Sequence, residues 1–356
     1  MARPLFSVLI DTYNHERFIE QAILSALEQD FSQADREILV VDDGSQDRTP
    51  EIAAKFVPQI RLIRKANGGQ ASAFNAGIPQ CQGEIVAFLD GDDWWAPEKL
   101  TEVAAAFSQN PAVGLIGHGI TLAFEDGARR GQLVREGPRF RIDSLAGART
   151  FRLRKSFLGT SRMSFRAEIL RRIGPVPESL AFQADEFLFT LGALFSETLL
   201  LRDSLTFYRM HEHNLFQVSD GSLASLRRKQ AVLQALVGAI RLRFAQEAVP
   251  GDVSEAVLET VQNEADALGL CLGGGTPIDT IRTELRAYAI DHENASAFRW
   301  LLKSVTLFPA LFLSPKRYTQ WKQKVASNPL YRNIRQRLDP EGLHPHVDRT
   351  GDWSPR

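Results

Sequence analysis

Residues 84–100 read EIVAFLDGDDWWAPEKL, an apolar run that ends in a tight group of carboxylates. The first six residues have the length and composition of a buried β-strand, and Pro97 stands at a position typical of the start of a helix. Like charges at this spacing repel one another unless a positive group lies between them. We therefore expect the strand to deliver three acids to a cation, namely Asp90, Asp92 and Asp93.

Strand and helix patterns alternate on both sides of this stretch. Buried-strand patterns are predicted at 5–10, 37–41, 60–64 and 113–117, and helical patterns at 18–29, 49–56 and from 97 onward. Alternation of this kind is typical of an α/β domain with a mostly parallel sheet covered by helices. Ligands bind beyond the carboxyl ends of such strands. The polar residues that follow three of the strands are therefore expected to meet at one rim: Asp11 to Asn14, Asp42 with Asp43, and Asp90 to Asp93.

Several classes of ligand site are excluded at that rim because the residues they need are missing. The first glycine of the chain is Gly44, so the first strand–helix turn has no GxGxxG dinucleotide loop. The chain has no GxxxxGKS/T phosphate loop, and Tyr13 stands where a HAD-type phosphatase needs its second aspartate. Carboxylates without a basic phosphate loop suit Mn²⁺ or Mg²⁺, which is bound together with the phosphate oxygens of a substrate. A solvated acidic turn is the alternative.

The composition is that of an ordinary globular chain. Its 356 residues are 44% apolar and 24% charged, and the formal net charge of -1 offers no overall field that attracts nucleic acid. Two well-separated cysteines, Cys81 and Cys271, fit a reducing compartment. The N-terminus turns polar too soon for a signal peptide, and no uncharged apolar run is long enough to span a bilayer. We therefore expect a cytoplasmic protein.

Three blocks of the sequence resemble the family 2 glycosyltransferases of the GT-A fold. They are SVLIDTYNHERFIEQAILSALEQDF at 7–31, EILVVDDGSQDRTPEIAAKF at 37–56 and NGGQASAFNAGIPQCQGEIVAFLDGDDWWAPEKL at 67–100. The resemblance is strong over about residues 4–118 and continues more faintly to about residue 215. It implies an inverting hexosyltransferase that moves a sugar from a nucleotide diphosphate donor, typically a UDP-sugar, to a hydroxyl on a glycan or a lipid-linked glycan. Polysaccharide biosynthesis is the setting that such a reaction implies.

The resemblance assigns roles to the rim residues. Asp43 matches the family position that hydrogen-bonds the base, and Tyr13 matches the position whose ring packs on that base. The donor-binding residues implied in this way are Thr12, Tyr13, Asn14, Asp43, Asn75, Asp90 and Asp92. The implied ligands of Mn²⁺ or Mg²⁺ are Asp92, Asp93 and His211, of which Asp93 matches the main metal ligand. For His211, a packed loop histidine is the alternative.

A transfer of this kind needs a base for the acceptor hydroxyl. FQADEFLFTL at 182–191 falls where the family carries its Glu-Asp element, which makes Asp185 the expected base and Glu186 the alternative. On a helix these two side chains point about 100° apart, so only one readily faces the site. Trp94 and Trp95 are the candidate acceptor-binding residues, since a flat ring face suits stacking on a sugar. We expect one of the two to stack in this way and the other to lie in the core.

Two residues depart from the family pattern. Asp11 replaces a frequent proline beside the nucleotide, and Phe74 stands where the family often has arginine. Because of these departures, the resemblance does not determine the base or the sugar of the donor. Without the arginine, binding of the donor phosphates depends more on the metal and on backbone N–H groups. Two alternatives to a transferase also stay open: a GT-A-like protein that binds a sugar or nucleotide without catalysis, and a nucleotidyltransferase.

The chain is expected to divide into a catalytic domain at 1–220 and a mainly helical region at 221–356. Residues 125–155 show only an irregular pattern rich in arginine. In the helical region, residues 298–338 hold nine Lys or Arg and no acid, and their first part is strongly apolar. Such a stretch favours a helix that lies in a membrane interface, here the inner face of the cell membrane. A helix packed on the catalytic domain with a solvated basic face is the alternative.

Overall fold

The computed structural model describes residues 4–132, 139–211, 222–291 and 296–326. The chain forms two compact units. The first comprises residues 1–212 and 235–257, and the second comprises residues 213–234 and 258–356. The domain boundary predicted at residue 220 lies outside the described residues and stays a prediction.

The elements of the chain follow the alternation expected from the sequence. The strands are β1 (Phe6–Thr12), β2 (Arg36–Asp42), β3 (Arg61–Arg64), β4 (Ile85–Asp90), β5 (Trp94–Trp95), β6 (Val113–Phe124), β7 (Arg129–Gln132), β8 (Arg139–Phe140), β9 (Ser164–Arg166) and β10 (Glu197–Met210). The helices are α1 (Ile19–Leu27), α2 (Thr49–Ala54), α3 (Gln70–Gly77), α4 (Lys99–Gln109), α5 (Leu145–Arg154), α6 (Ala167–Ile173), α7 (Ala184–Phe195), α8 (Leu223–Gln246), α9 (Gly251–Cys271), α10 (Pro277–Asp291), α11 (Ala297–Thr306) and α12 (Pro315–Ala326).

One mixed sheet forms the centre of the first unit, with the strand order β3-β2-β1-β4-β9-β6-β10-β5. β1 pairs in parallel with β2 and with β4, and β2 pairs in parallel with β3, so this half has the predicted parallel strands. β9 is antiparallel to both β4 and β6 and joins this half to the parallel pair β6 and β10. The prediction of an α/β sheet covered by helices and followed by a helical region is confirmed.

The register of the parallel strands places acidic residues side by side. Asp11 on β1 is the partner of Asp90 on β4. Alternate residues of β1, namely Phe6, Val8 and Ile10, pack in one core with α1 and α4. Because β1 and β4 are parallel and pair in register up to Asp11 and Asp90, their carboxyl ends lie at the same edge. We call this edge the acidic rim and define it by Asp11, Asp90, Asp92 and Asp93.

The second unit has a small core of its own. Leu307, Ala310 and Tyr318 are buried, and Leu313 and Trp321 pack against them. Other apolar side chains of the same segment are exposed, namely Leu301, Val305, Phe308, Leu311 and Phe312. Within the described ranges, every helix is too short or too polar to cross a membrane.

Candidate active site

The acidic rim brings three carboxylates together at the end of β4. One oxygen of each lies within 4.8 Å of the others, in the group Asp90, Asp92 and Asp93. Gly91 makes this arrangement possible, because a Cβ there would lie 2.5 Å from Thr12 Oγ1 and 2.9 Å from His15 Nδ1. Only a residue without a side chain lets the turn approach β1 so closely. Asp92 and Asp93, the predicted metal ligands, are therefore held side by side, and Asp90 joins them.

Burial and mutual repulsion raise the pKa of most rim carboxyls. Burial, with Asp92 next in importance, raises the pKa of Asp93 to about 8. Burial and Asp92 also raise the pKa of Asp11, and burial and Asp11 raise the pKa of Asp90. Loss of water disfavours the charged form of a carboxyl, and a neighbouring negative charge adds to that effect. The ionised rim therefore gains stability from a bound cation.

Asp92 is the exception because two histidines lie beside it. Burial acts to raise the pKa of Asp92, but His15 and His211 outweigh burial and leave it lowered. His211 Nε2 lies 3.0 Å from Asp92 Oδ2, and His15 Nε2 lies 3.9 Å from the same oxygen. The His211 ring is buried and lies 4.8 Å from the ring of Phe18. His211 thus lies at the rim in contact with Asp92, and its role as a metal ligand stays a prediction. His15 was not predicted, although it comes three residues after Thr12 in the turn that follows β1.

The donor atoms of the rim fit a hard divalent cation. Asp93 Oδ2 and Asp11 Oδ1 are buried without a hydrogen-bond partner in the described part of the chain. Buried polar atoms of this kind are uncommon unless a ligand, an ion or water satisfies them. Carboxylate oxygens are the ligands that Mg²⁺ and Mn²⁺ prefer. The rim is therefore suited to either ion.

Asp43 holds the glycine loop that precedes α3. Its Oδ2 accepts the backbone N–H of Gly69 at 2.7 Å, and both of its oxygens accept that of Gly68 at 3.1 Å. Lys65 Nζ lies 2.5 Å from Asp43 Oδ1. Gly69 has a φ of +82°, in the left-handed region that favours glycine. The contact between Asp43 and a nucleotide base stays a prediction, since protein groups bind its oxygens in this structure.

Hydrogen bonds join the turn after β1 to the turn after β2. The Asn14 N–H donates to Ser45 Oγ at 2.8 Å, and Asn14 Oδ1 accepts the Gln46 N–H at 2.8 Å. Thr12 is buried at the end of β1, whereas Tyr13 is 38% exposed. The Tyr13 ring is therefore accessible for stacking. Asn14 connects the two turns through its hydrogen bonds.

Asn75 has a structural partner on a distant segment. Its Nδ2 donates to the Val176 carbonyl at 2.8 Å, and its Oδ1 accepts the Val176 N–H at 2.8 Å. Both ends of the amide are thus engaged with backbone. This geometry favours a role in anchoring α3, and donor binding by Asn75 stays a prediction.

Asp185 and Glu186 stand at the start of α7 in different environments. Glu186 Oε1 lies 2.5 Å from Lys155 Nζ, so an ion pair neutralises this carboxylate. Asp185 Oδ1 accepts the Glu186 N–H at 2.9 Å, and burial, with Glu186 next, raises the pKa of Asp185 to about 6. The charge of Asp185 also raises the pKa of Asp11 and of Asp90, as a group close to the rim does. A pKa near neutrality is suited to a general base.

A hydrogen-bonded bridge positions the start of α7. Gln70 Nε2 donates to Thr160 Oγ1 at 3.0 Å, and Gln70 Oε1 accepts the Ala184 N–H at 3.0 Å. The preceding residue, Gln183, has a φ of 60°, which is uncommon for a residue other than glycine. The bridge connects three segments of the first unit. It fixes the position of the first turn of α7, which carries Asp185.

The two tryptophans after the acids also differ. Trp95 is 2% exposed, and its Nε1 donates to the Ser161 carbonyl at 3.0 Å, so its ring cannot stack on an acceptor. Trp94 is partly exposed and stacks on Phe207, with ring centroids 5.0 Å apart and an interplanar angle of 9°. Trp95 is therefore the core member of the pair, as expected for one of the two, and its burial counts against its candidacy as an acceptor-binding residue. That of Trp94 stays a prediction.

A buried lysine behind the rim was not predicted. Lys99 is fully buried; its Nζ donates to the Ser161 carbonyl at 2.9 Å and lies 3.8 Å from the centre of the Trp95 ring. Burial lowers the pKa of Lys99 well below its usual range, while Asp93 acts in the opposite direction. Helical spacing could have indicated its burial, because Lys99 lies four residues before the buried Val103 on the same face of α4.

The first half of the chain is similar to known glycosyltransferases. Residues 7–174 match the family described as glycosyl transferase family 2. An uncharacterized glycosyltransferase of Nostoc sp. is 34% identical over 215 residues, which cover 58% of this chain and 65% of that protein. The uncharacterized glycosyltransferase EpsJ of Bacillus subtilis is 46% identical over 107 residues, which cover 28% of this chain and 30% of that protein. The matches span less than two thirds of the length of either relative.

A solved structure shares the fold. The crystal structure of TarS 1-349 from S. aureus, in complex with UDP-GlcNAc, matches with a TM-score of 0.51 and 22% sequence identity, and the match covers 80% of this chain and 88% of that chain. At this identity the likeness concerns the fold alone, and it agrees with the GT-A architecture expected from the sequence. The chain is thus similar to glycosyl transferase family 2 over residues 7–174, slightly less than half of its length.

Proposed function

We propose that the protein is an inverting glycosyltransferase that moves a sugar from a nucleotide diphosphate donor, a UDP-sugar, to a hydroxyl on a glycan or a lipid-linked glycan. One observation carries the proposal: three carboxylates with ligand atoms within 4.8 Å of one another close the rim of a family 2 domain. The names of the relatives support it, as does TarS, whose crystal structure contains UDP-GlcNAc. The proposed setting is polysaccharide biosynthesis, with residues 1–220 as the catalytic domain.

The rim residues have distinct parts in donor binding. Asp92, Asp93 and His211 are the proposed ligands of Mn²⁺ or Mg²⁺, with Asp90 beside them, and His211 also contacts Asp92 at 3.0 Å. When bound, the cation supplies positive charge against the diphosphate that leaves with the nucleotide. Asp93 is 1% exposed, so this carboxylate is shielded from bulk water. Tyr13 would stack on the base.

Asp185 is the proposed base. It accepts the proton of the acceptor hydroxyl while the hydroxyl oxygen attacks the anomeric carbon from the face opposite the diphosphate. A single displacement of this kind inverts the anomeric configuration and forms no covalent enzyme intermediate. Glu186 is the weaker candidate because Lys155 already pairs with it. Trp94 offers its ring to the acceptor sugar.

Donor binding provides the first test. UDP with Mn²⁺ should raise the melting temperature, because a ligand that binds only the folded state stabilises it, by about 2.7 kcal/mol at roughly a hundred times the Kd. A thermal-shift panel of UDP, GDP, ADP and UDP-sugars measures the effect, with chelator in place of Mn²⁺ as the control. The absence of a shift with every diphosphate in Mn²⁺ would contradict the proposal. A shift without UDP release from any UDP-sugar would favour the non-catalytic alternative, and pyrophosphate release from a nucleoside triphosphate would favour the nucleotidyltransferase.

We also propose that an apolar stripe on α11 and the turn after it contacts an anionic membrane surface, on the inner face of the cell membrane. The stripe recurs every three or four residues and is 61–73% exposed; it comprises Leu301, Val305, Phe308 and Phe312. Residues 296–326 hold six Lys or Arg and no acid. Lys303 and Lys322 pair with Glu284, which leaves an excess of positive charge. Apolar side chains beside basic ones suit the boundary between lipid headgroups and acyl chains. Residues 327–338 of the predicted basic segment lie outside the described residues.

Replacing both Phe308 and Phe312 by serine should lower vesicle binding several-fold. Both side chains are exposed, so the change removes apolar surface without opening a core. Co-sedimentation of the full chain with phosphatidylglycerol vesicles at low salt measures the bound fraction. Leu242→Ser, which removes a 63% exposed leucine from α8, is the control and should bind as the wild type does. Wild-type protein that stays in the supernatant would show that the stripe has another role.

A further inference from the structure

A cleft of about 420 Å³ lies beside the acidic rim, within the first unit. We call it the arginine cleft, and its lining residues are Arg17, Phe18, Phe124, Glu125 and Arg209. Arg209 connects the cleft to the rim: its backbone N–H donates to Asp93 Oδ1 at 2.9 Å, and its Nε donates to the Asp92 carbonyl at 2.8 Å. A molecule in the cleft therefore lies next to the proposed cation site.

Aromatic rings hold the guanidinium groups of the cleft in place. The guanidinium carbon of Arg209 lies 4.6 Å from the centre of the Phe18 ring and 4.5 Å from that of Trp94. Trp94 stacks on Phe207, and the guanidinium carbon of Arg129 on β7 lies 5.1 Å from the Phe207 ring. Cation–π contacts orient an arginine without neutralising its charge. The cleft thus combines fixed positive charge with a flat ring surface.

Arginine outnumbers acid at this place. Arg17 and Arg209 line the cleft, and the guanidinium carbon of Arg130 lies 5.2 Å from the centre of the Phe124 ring in its wall. The acid in the lining, Glu125, lies 3.7 Å from Arg17, with the two side chains 58% and 68% exposed. An exposed ion pair of this kind contributes little and gives way to a competing anion. Arginine forks match the oxygens of phosphate in a bidentate manner.

We propose that the arginine cleft binds a phosphate group of the acceptor, so that the acceptor is a phosphate-bearing glycan or a lipid-linked sugar phosphate. The inference rests on the proposed transferase function and adds the chemical class of its acceptor. Because Arg209 also contacts Asp92 and Asp93, a phosphate held by the arginines places the sugar that carries it beside the rim. The net charge of the whole chain is -1, so the excess of arginine here does not reflect an overall positive charge.

Calorimetry with glucose 1-phosphate tests the inference on the full chain saturated with UDP and Mn²⁺, so that the donor site is already filled. Arg17→Glu should weaken binding of this probe by about three- to tenfold, as the loss of one exposed charge-assisted contact implies. Glu125→Gln should strengthen it, because the competing carboxylate is gone. Arg48→Glu is the matched control: Arg48 is 78% exposed and pairs with Glu16 at 3.1 Å. It should leave the affinity unchanged.

The outcomes distinguish a lipid-linked acceptor from a phosphate-bearing glycan. They also distinguish a failure of the cleft proposal from a failure of the proposed function. Tighter binding of farnesyl phosphate in micelles than of glucose 1-phosphate would indicate a lipid-linked acceptor, and the reverse order a phosphate-bearing glycan. Equal losses in Arg17→Glu and Arg48→Glu, or equal binding of neutral methyl glucoside, would overturn the inference. Loss of UDP binding in Arg17→Glu would overturn it too, since the cleft would then serve the donor. Absence of UDP binding in the wild type counts against the proposed function, whereas UDP binding without probe binding counts against the cleft alone.

Discussion

Replacing Asp185 by asparagine is expected to lower turnover by about 100- to 10,000-fold, the range that a positioned general base contributes. The amide keeps the shape of the carboxylate but cannot accept the proton of the acceptor hydroxyl. UDP binding with Mn²⁺ should persist, because Asp185 is not among the three carboxylates of the cation group. Release of UDP from a UDP-sugar measures the first effect, and the thermal shift with UDP measures the second.

Glu186→Gln is the matched control for this substitution. It changes the neighbouring residue in the same way but removes a carboxylate that Lys155 already neutralises. Turnover of this variant should therefore stay within a few-fold of the wild type. Near-normal turnover of Asp185→Asn together with an inactive Glu186→Gln would move the role of base by one residue.

The pH dependence of the reaction follows from the same group. Burial and Glu186 raise the pKa of Asp185 to about 6, so kcat/KM should rise with pH through about 6 as the base ionises. Stability should change in the opposite direction: a carboxyl whose folded pKa lies above its ordinary value of 3.8 contributes stability at low pH and loses it as pH rises through about 6. Asp185→Asn removes that loss, so its melting temperature relative to wild type should increase between about pH 4 and pH 6. A flat kcat/KM over this window would contradict the assignment.

Replacing Asp93 by alanine should remove most of the metal dependence of donor binding. Even an outer partner of a metal ligand typically contributes about 10- to 100-fold in metal affinity, and a direct ligand should contribute at least as much. Titration of Mn²⁺ into protein with UDP, followed by calorimetry, measures the change. Asp35→Ala, which removes an exposed acid from the first unit, should leave the titration unaltered.

Asp93→Asn separates metal binding from folding. The amide oxygen still accepts the Arg209 N–H that Asp93 Oδ1 accepts at 2.9 Å, and the side-chain volume is kept. The metal-free protein should therefore melt no lower than the wild type, because a buried carboxyl that resists ionisation becomes a neutral amide. If the UDP affinity of either Asp93 variant still rises with Mn²⁺ as in the wild type, the role of Asp93 as a ligand is wrong.

The parallel half of the sheet follows from local sequence. The apolar runs at 5–10 and 84–89 become β1 (Phe6–Thr12) and β4 (Ile85–Asp90), within two residues of the predicted ends. Each run is long enough for one buried strand and is followed by polar residues, so the end of the strand is readable without its partners. Because parallel strands end at a common edge, their acids are bound to meet, as Asp11 and Asp90 do.

In the other half of the sheet, local pattern predicted only the start of β6, at residues 113–117. β9 has only three residues, and it pairs antiparallel with both β4 and β6. The segment 125–155 is irregular in sequence, yet β7 within it pairs with β6 and carries Arg129 to the ring of Phe207. Strand pairing depends on partners that are distant in the chain, which periodicity alone does not reveal. The arginine cleft was therefore invisible until the fold was known.

Local sequence was sufficient to place the carboxylates at the rim, since each group follows an apolar run directly. Tertiary contacts were needed to assign different roles to adjacent residues that carry the same kind of functional group. Trp95, not Trp94, enters the core, because the Ser161 carbonyl accepts its Nε1–H. Glu186, not Asp185, is neutralised, because Lys155 reaches it from 31 residues away. Burial and pairing set the pKa and the accessibility of a side chain, and both depend on groups that only folding brings together.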